Sequence, residues 1–442
     1  MQTKITYKEI FALALPIYGG LLAGTVVGMI DTAFLGRVSL AQQSAAGYGA
    51  LFYLVFFVAG MGFTLGTQIL IARRIGEGNS AGAGPIFWNG LLCMLGYATL
   101  VYIFFNTSVD SFFHGVTRSE EISALTADYL RIRSFGVYGT MINLSFTAYY
   151  VGKGRSLAIS LSAIASALVN VIAGYAMIFG YLGSGPMGIK GAAIANAVSD
   201  LSGTAVFILF TLFQKDLRIM GMFSFFPSLQ RLREILNIAV PLILQNMISI
   251  LAWFLFFTII ENTGKENFGI SIIVRSVYSI FMMAPMALGS ATNSMVSNLI
   301  GQQRQNEVLA LVRKTGKFSL MFMLITLVPL ILVPRTVFLL FSTDSFLAEK
   351  AVPVMYTTVA ALAAFSVSNV IFQSVSGTGQ TRTALLIETG SIALYILYTF
   401  LASQWFPDRL PVIWVAEVLY MVFFGTIAYR YMRSGNWKKK KI

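Results

Sequence analysis

Cysteine and histidine are almost absent from this 442-residue sequence, which has one of each, Cys93 and His114. A single cysteine excludes an intramolecular disulfide, and one cysteine with one histidine excludes most metal-dependent and Cys/His nucleophilic enzymes. Charge is scarce as well, because charged side chains make up 11% of the residues and hydrophobic ones 57%. Mean hydropathy is +0.75. This balance is far too apolar for a soluble chain and predicts a polytopic membrane protein.

Lysine and arginine outnumber the acidic residues, 31 to 18. They are scattered in short segments between apolar runs, so nucleic acid is not an expected partner and the lipid bilayer is. Apolar runs of about 20 residues or more predict an all-α membrane protein with twelve transmembrane helices, near 9–36, 46–72, 86–107, 126–151, 157–182, 188–213, 234–261, 268–299, 315–334, 352–376, 383–404 and 410–431. Most basic residues fall on the side that holds both chain ends, so the positive-inside rule predicts cytoplasmic termini.

The chain repeats itself at a shift of 225 residues, which relates Pro16 to Pro241 and GTQILIARRIG (66–76) to ATNSMVSNLIG (291–301). Six helices per copy give both copies the same orientation, so we predict two six-helix lobes related by a pseudo-two-fold axis along the membrane normal. This is the parallel-repeat plan of many secondary transporters. The predicted domains are an N-terminal lobe (1–213), a cytoplasmic interfacial linker (214–233) and a C-terminal lobe (234–442) that ends in the basic run Lys438–Lys441.

Asp31 lies within the first predicted span, fifteen residues after Pro16. A charged side chain within a spanning helix costs roughly 2.5–3.5 kcal/mol on insertion scales, so it normally faces a cavity and marks a substrate or ion pathway. Pro16 lacks a backbone donor and favours a kink. At the 225-residue shift Asp31 falls on Phe256, so this carboxylate belongs to the first lobe alone. We predict that Asp31 lies on a substrate or ion pathway of the first lobe and that the helix can bend at Pro16.

Several patterns in the sequence match those of one transporter family: two repeated turns, FTAYYVGKGRS (146–156) and IFQSVSGTGQTR (371–382), the segment GAAIANAVS (191–199), and Pro16 ahead of Asp31. They resemble the multidrug and toxic compound extrusion (MATE) family, most closely its prokaryotic DinF-type branch, over essentially the whole chain. The resemblance implies a multi-pass transporter of a bacterial or archaeal plasma membrane, and no enzymatic activity. It implies export of amphipathic or cationic organic compounds in exchange for inward H⁺ or Na⁺, with no metal or other cofactor. We expect a monomer.

The resemblance implies coupling-ion roles for Asp31 and for Asn170, which matches the asparagine of the family's NxxxD pattern. Gly174 stands where that pattern has its aspartate. A substitute is predicted on the sixth span, where Asn196 and Asp200 lie one turn apart on one helix face. The predicted coupling set is therefore Asp31, Asn170, Asn196 and Asp200. Within it we predict that Asp31 binds and releases the coupling proton while the first helix bends at Pro16.

Arg275, Glu388 and Glu417 are the charges within the predicted spans of the second lobe, and Arg133 is assigned to an outer end of its span. We expect an ion pair between Arg275 and one of the acids, with Glu388 as the first choice. An unpaired arginine in a cavity would instead indicate an anionic substrate.

Three alternatives remain open. A carboxylate with asparagine oxygens coordinates Na⁺ as readily as it binds a proton, so Na⁺ coupling is the nearest rival. A flippase for a lipid-linked saccharide keeps the fold and changes the substrate. A membrane enzyme or a channel needs a catalytic set or a pore-lining ring, and the sequence offers neither pattern.

Overall fold

The computed structural model describes residues 5–116, 119–181, 183, 185–342 and 344–439. All regular elements in these ranges are helices, so the predicted all-α class is confirmed. The α-helices are α1 Tyr7–Gly36, α2 Leu40–Gly76, α3 Ala83–Thr107, α4 Val109–Val116, α5 Glu120–Arg133, α6 Gly136–Gly152, α7 Leu157–Phe179, α8 Ile189–Leu212, α9 Leu229–Glu261, α10 Lys265–Gly301, α11 Val308–Thr326, α12 Val328–Leu332, α13 Pro334–Leu339, α14 Ser345–Gly377, α15 Thr381–Trp405 and α16 Leu410–Ser434. Lys440 and Lys441 of the predicted basic run lie outside the described residues.

Ten helices in the described part of the chain are long and apolar enough to cross a membrane. The other two predicted spans, 126–151 and 315–334, are interrupted helices. The first is divided between α5 and α6, and the second between α11 and α12, where Pro329 lies in the first turn of α12 and supplies no backbone N–H. The predicted twelve crossings therefore correspond to ten continuous helices and two interrupted ones.

The structure repeats at the shift seen in the sequence. Helices α2 and α10 are both 37 residues long, and their first and last residues differ by 225 positions. Helices α3 and α11 begin 225 positions apart, and α14 covers the positions equivalent to α5 and α6 together. The interruption between α5 and α6 is therefore a feature of the first copy alone.

Two compact units divide the chain: Leu15–Ala239 is one, and Met1–Ala14 with Val240–Ile442 is the other. We call them the N-terminal unit and the C-terminal unit. In the first, α7 packs on α8 and α6 on α2; in the second, α14 packs on α10 and α16. Helices α1 and α9 each contribute to both units, and the divisions fall two residues before Pro16 and Pro241.

The predicted linker, 214–233, consists of turns followed by the start of α9. It is attached to α3 by two side chains of that helix. Trp88 Nε1 donates to the carbonyl oxygen of Met222 at 2.7 Å, and Asn89 Oδ1 accepts from the backbone N–H of Ser228 at 2.8 Å. These bonds fix the path of the chain where it leaves the sixth predicted span.

Candidate functional site

Asp31 on α1 meets Asn196 on α8. The Asn196 Nδ2 group donates to Asp31 Oδ2 at 2.7 Å and to the Ala192 carbonyl oxygen at 2.9 Å. Both partners are acceptors, so the amide nitrogen faces them and the amide oxygen is turned away. Asp31 Oδ1 is buried and has no hydrogen-bond partner among the described residues. The carboxyl thus has one bonded amide donor, Asn196, and one oxygen that completes no hydrogen bond and is open to a proton.

Asn170 on α7 is fully buried and interacts with the Asp31 carboxyl. Neither of its amide atoms completes a hydrogen bond within the described ranges. One turn later on α7, a Cβ added at Gly174 would lie 3.9 Å from Asp31 Oδ1 and 3.8 Å from the Ala195 Cβ. These are ordinary contact distances, so a side chain at position 174 would face Asp31. Glycine leaves that side of the carboxyl open.

Asp200 lies one turn beyond Asn196 on α8, but it has its own partners. Arg133 Nη2 is 3.5 Å from Asp200 Oδ2, and the Thr140 hydroxyl donates to the same oxygen at 3.0 Å. Gly136, the first residue of α6, packs so closely that an added Cβ would lie 3.2 Å from Oδ2. The interruption between α5 and α6 therefore places an arginine, a hydroxyl and a helix N-terminus around Asp200. All three stabilise an ionised carboxylate.

Sequence reasoning missed Arg133 and Tyr53. The Arg133 guanidinium lies 4.5 Å from the centroid of the Tyr53 ring, and the Tyr53 hydroxyl is 2.7 Å from Thr140 Oγ1. The sequence placed Arg133 near the outer end of its span and did not predict that its side chain, 13% exposed, faces Asp200. One signal was available: Arg131 and Arg133 are two residues apart on a helix, so they point to different sides.

Pro16 lies inside α1 and removes one backbone donor there. Ser160 on α7 donates to the Pro16 carbonyl oxygen at 3.0 Å. A Cβ added at Gly20, one turn later, would lie 3.3 Å from Ile159 Cγ2, also on α7. The α1 segment from Pro16 to Gly20 therefore packs on α7. Bending at Pro16 stays a prediction.

Arg275 and Glu388 are not brought together. The Arg275 guanidinium lies 4.8 Å from the ring centroid of Trp253 and 5.0 Å from that of Phe257. Within the described ranges no ion pair involves Arg275 or Glu388. The physical reason is that Trp253 and Phe257 are four residues apart on α9, so their rings share one face that the guanidinium can cover. The expected ion pair is replaced by cation–π contacts.

Glu388 and Glu417 bind hydroxyl groups instead of a cation. Glu388 Oε1 accepts from the Ser249 hydroxyl at 2.6 Å and from the Tyr420 hydroxyl at 2.8 Å. Glu417 Oε1 accepts from the Tyr395 hydroxyl at 2.8 Å. Both side chains are buried. The C-terminal unit therefore contains two buried acids. The sequence predicted their positions within spans, but it did not predict their hydroxyl partners.

A sequence model of the MatE family matches residues 16–176 and 241–401. The two matches begin and end 225 positions apart, which confirms the repeat. The probable multidrug resistance protein NorM of Thermotoga maritima is 24% identical to this chain over 440 residues, which cover 98% of this chain and 94% of that protein. The similarity therefore extends over the whole length of both chains.

Solved structures of MATE proteins have the same fold. A MATE crystal structure in complex with MaL6 is similar with a TM-score of 0.90 at 19% identity, covering 98% of this chain and 97% of that one. The outward-facing conformation of a multidrug resistance MATE family transporter of the MOP superfamily gives a TM-score of 0.89 at 19% identity, with the same coverage. Because the family is matched in both halves of the sequence and the fold is shared throughout, this protein belongs to the MatE family of membrane transporters.

Proposed function

We propose that this transporter is a proton-driven multidrug exporter of the bacterial or archaeal plasma membrane, which moves amphipathic or cationic organic compounds outward by alternating access. The observation that carries the proposal is Asp31, a carboxyl within an apolar helix that has an amide donor and no direct ion pair among the described residues; the Arg133 guanidinium, paired with Asp200, acts on it only at longer range. An unpaired carboxylate at such a place is costly, so it takes up a proton or a cation. The name of the Thermotoga maritima relative, a probable multidrug resistance protein, supports the substrate class.

The orientation of Asn196 favours a proton over Na⁺. A Na⁺ ion needs oxygen ligands, whereas Asn196 turns its nitrogen toward Asp31 and its oxygen away. Gly174 supplies no side-chain oxygen on the other side of the carboxyl. A proton needs only the open Oδ1 atom of Asp31. A Na⁺ ion bound through Asn196 would require that amide to reverse and lose its bond to the Ala192 carbonyl, which leaves the Asn170 Oδ1 atom as the one amide oxygen of the predicted coupling set that is free of a bond and beside Asp31.

Asp200 has a structural role in this proposal. Its carboxylate is balanced by Arg133 and bound by Thr140, so its charge does not need an exchangeable ion. Asp31 is then the single exchanging carboxyl of the N-terminal unit. This assignment makes one proton per cycle the expected contribution of that unit.

The transport cycle follows from the charge of Asp31. A proton that enters from outside neutralises the carboxyl, weakens its charge-assisted bond to Asn196 and lets α1 repack near Pro16. Release of the proton toward the cytoplasm restores the negative charge, which attracts a cationic substrate. Proton and substrate therefore oppose each other's binding, and the effect is reciprocal.

The test is export of a cationic dye from proteoliposomes under an imposed pH gradient. Asp31→Asn should abolish pH-driven transport, and Asp408→Asn, the same chemical change on an exposed residue of a loop, should leave it intact. Replacing Na⁺ by choline at a fixed pH gradient should change nothing. Export by Asp31→Asn at the wild-type rate would refute the role of Asp31, and loss of export in choline would replace the proton by Na⁺.

A further inference from the structure

Two glutamates and two tyrosines form a crossed pair of hydrogen bonds in the C-terminal unit. Glu388 on α15 and Glu417 on α16 are 4% and 2% exposed. Tyr420 of α16 donates to Glu388 Oε1, and Tyr395 of α15 donates to Glu417 Oε1, each at 2.8 Å. The rings of Tyr395 and Tyr420 are 5.3 Å apart. The two acids therefore belong to one buried cluster, which we call the glutamate–tyrosine cluster.

Several polar atoms of this cluster have no partner. Glu388 Oε2, Glu417 Oε2 and the Tyr278 hydroxyl are buried without a hydrogen bond to any residue that the structure describes. Tyr278, on α10, interacts electrostatically with Glu417. The groups that bond or interact with the two acids are Ser249 on α9, Tyr278 on α10, Tyr395 on α15 and Tyr420 on α16, all of them neutral hydroxyls. Among the described residues no ion pair includes either acid, α14 supplies no cation to them, and Arg275 covers aromatic rings.

These contacts determine whether Glu388 and Glu417 are more stable as neutral acids or as anions. Two ionised carboxylates in an apolar site without a cation would each keep an unsatisfied anionic oxygen, and their desolvation would go uncompensated. A protonated carboxyl is neutral and still accepts the tyrosine hydrogen bond at Oε1. Its own proton on Oε2 is a donor without an acceptor among the described residues, which costs much less than a buried anionic oxygen without a partner. The contacts therefore suit two neutral carboxyls and do not suit two anions.

The sequence repeat relates the glutamate–tyrosine cluster to the Asp31 site of the N-terminal unit. At the 225-residue shift Tyr395 corresponds to Asn170, and Phe256 corresponds to Asp31. The rings of Phe256 and Tyr395 are stacked, with their centroids 5.4 Å apart. Because Tyr395 donates to Glu417, the C-terminal unit carries a carboxyl in contact with the residue that replaces Asn170. Both copies thus place an acid beside the residue at this position, Asn170 or Tyr395, and they use different helices to do so.

We propose that Glu388 and Glu417 form a second proton-binding site, in which each carboxyl holds a proton at neutral pH. This inference adds to the proposed function and rests on it only for the role of these protons in transport. Their presence does not depend on Asp31. The site raises the number of protons that the chain can carry above the one assigned to the N-terminal unit.

The test is infrared spectroscopy of the full-length purified protein, which detects the carbonyl stretch of protonated carboxyl groups. Asp31→Asn is used as the background, so that Asp31 does not contribute. The band should be present at pH 7, Glu388→Gln and Glu417→Gln should each remove part of it, and the double substitution should remove it. Glu349→Gln, at an exposed position of α14, is the matched control and should leave the band unchanged. A missing band, or one that both glutamine variants leave intact, overturns the proposal.

Two further variants keep the test decisive if a glutamine variant does not fold. Tyr420→Phe and Tyr395→Phe remove the hydrogen bond to Glu388 and to Glu417 respectively and keep both carboxyls. Each should shift the carbonyl frequency of its own partner, and absence of a shift in both variants refutes the site. The result is independent of transport, so failure of the Asp31 mechanism and failure of this proposal are read separately.

Discussion

Substitution of either partner of the Arg133–Asp200 pair should destabilise the N-terminal unit, and substitution of both should restore most of the loss. The side chains are 13% and 22% exposed, and their charged atoms are 3.5 Å apart. At an effective dielectric constant of about 20, unit charges at that distance attract by about 5 kcal/mol. Removing one partner strands the other in a buried site, which costs about 3–5 kcal/mol.

The two single variants should lose different amounts of stability. In Asp200→Asn the guanidinium keeps its contact with the Tyr53 ring at 4.5 Å, a type of contact worth about 2 kcal/mol when it is desolvated. In Arg133→Gln the carboxylate keeps the Thr140 hydroxyl. We therefore expect Asp200→Asn near the lower end of the range. The double variant, Arg133→Gln with Asp200→Asn, leaves two neutral amides and no stranded charge.

The assay is thermal unfolding of the purified protein in detergent, followed by dye transport for the variants that fold. For a unit of this size 1 kcal/mol corresponds to roughly 2–4 °C in Tm. The double variant should keep proton-driven transport, because Asp31 is intact. Single variants as stable as the double would refute the assignment of a buried ion pair. A stable double variant that has lost proton coupling would show that the Arg133–Asp200 pair takes part in coupling, either through Asp200 itself or through the charge of Arg133 on Asp31.

Three smaller predictions concern single positions. Gly174→Asp puts a second carboxylate next to Asp31 Oδ1, where the added Cβ fits at 3.9 Å, so export should become dependent on Na⁺; export that stays indifferent to Na⁺ would count against this geometry. Ser160→Ala removes the hydrogen bond to the α1 proline and should cost about 1 kcal/mol in thermal unfolding; an unchanged Tm would mean that the bond contributes nothing. The bidentate bond from Arg304 holds the pKa of Glu307 below its usual value. The stability that this bond contributes is therefore present above the unfolded-state pKa of Glu307 and is lost as the pH falls through the folded-state pKa. Glu307→Gln should accordingly unfold earlier than wild type at neutral pH and together with it in acid, and a difference that persists in acid would disprove the cause.

The fold was largely predictable because the sequence contains two copies of one helical pattern, 225 residues apart. The shift that relates Pro16 to Pro241 also relates the ends of α2 and α10, since equivalent sequences end their helices at equivalent turns. The interruption between α5 and α6 was not predictable from hydropathy. At the end of α5, Arg133 packs against Asp200 of another helix, whereas the equivalent positions in the second copy are Thr358 and Gly425, which cannot form an ion pair.

The candidate site was predictable only in part, for a similar reason. Helical spacing placed Asn196 and Asp200 on one face of α8, and the structure puts Asn196 against Asp31. The same spacing could not tell that Asp200, one turn away, meets a different helix. The crossed bonds of Glu388 and Glu417 depend on the register between α15 and α16, which no single-helix pattern contains.

Binding of a cationic dye to the purified protein, measured as Kd against pH in Na⁺-free buffer, tests the central claim most directly. Competition with one proton changes Kd by up to about tenfold per pH unit. Affinity should therefore rise with pH in wild type as Asp31 loses its proton. Asp31→Asn should lower the slope of log Kd against pH by the contribution of one proton, and Asp408→Asn should leave that slope unchanged. A wild-type Kd that does not change with pH, or an Asp31→Asn variant that keeps the wild-type slope, would contradict the account.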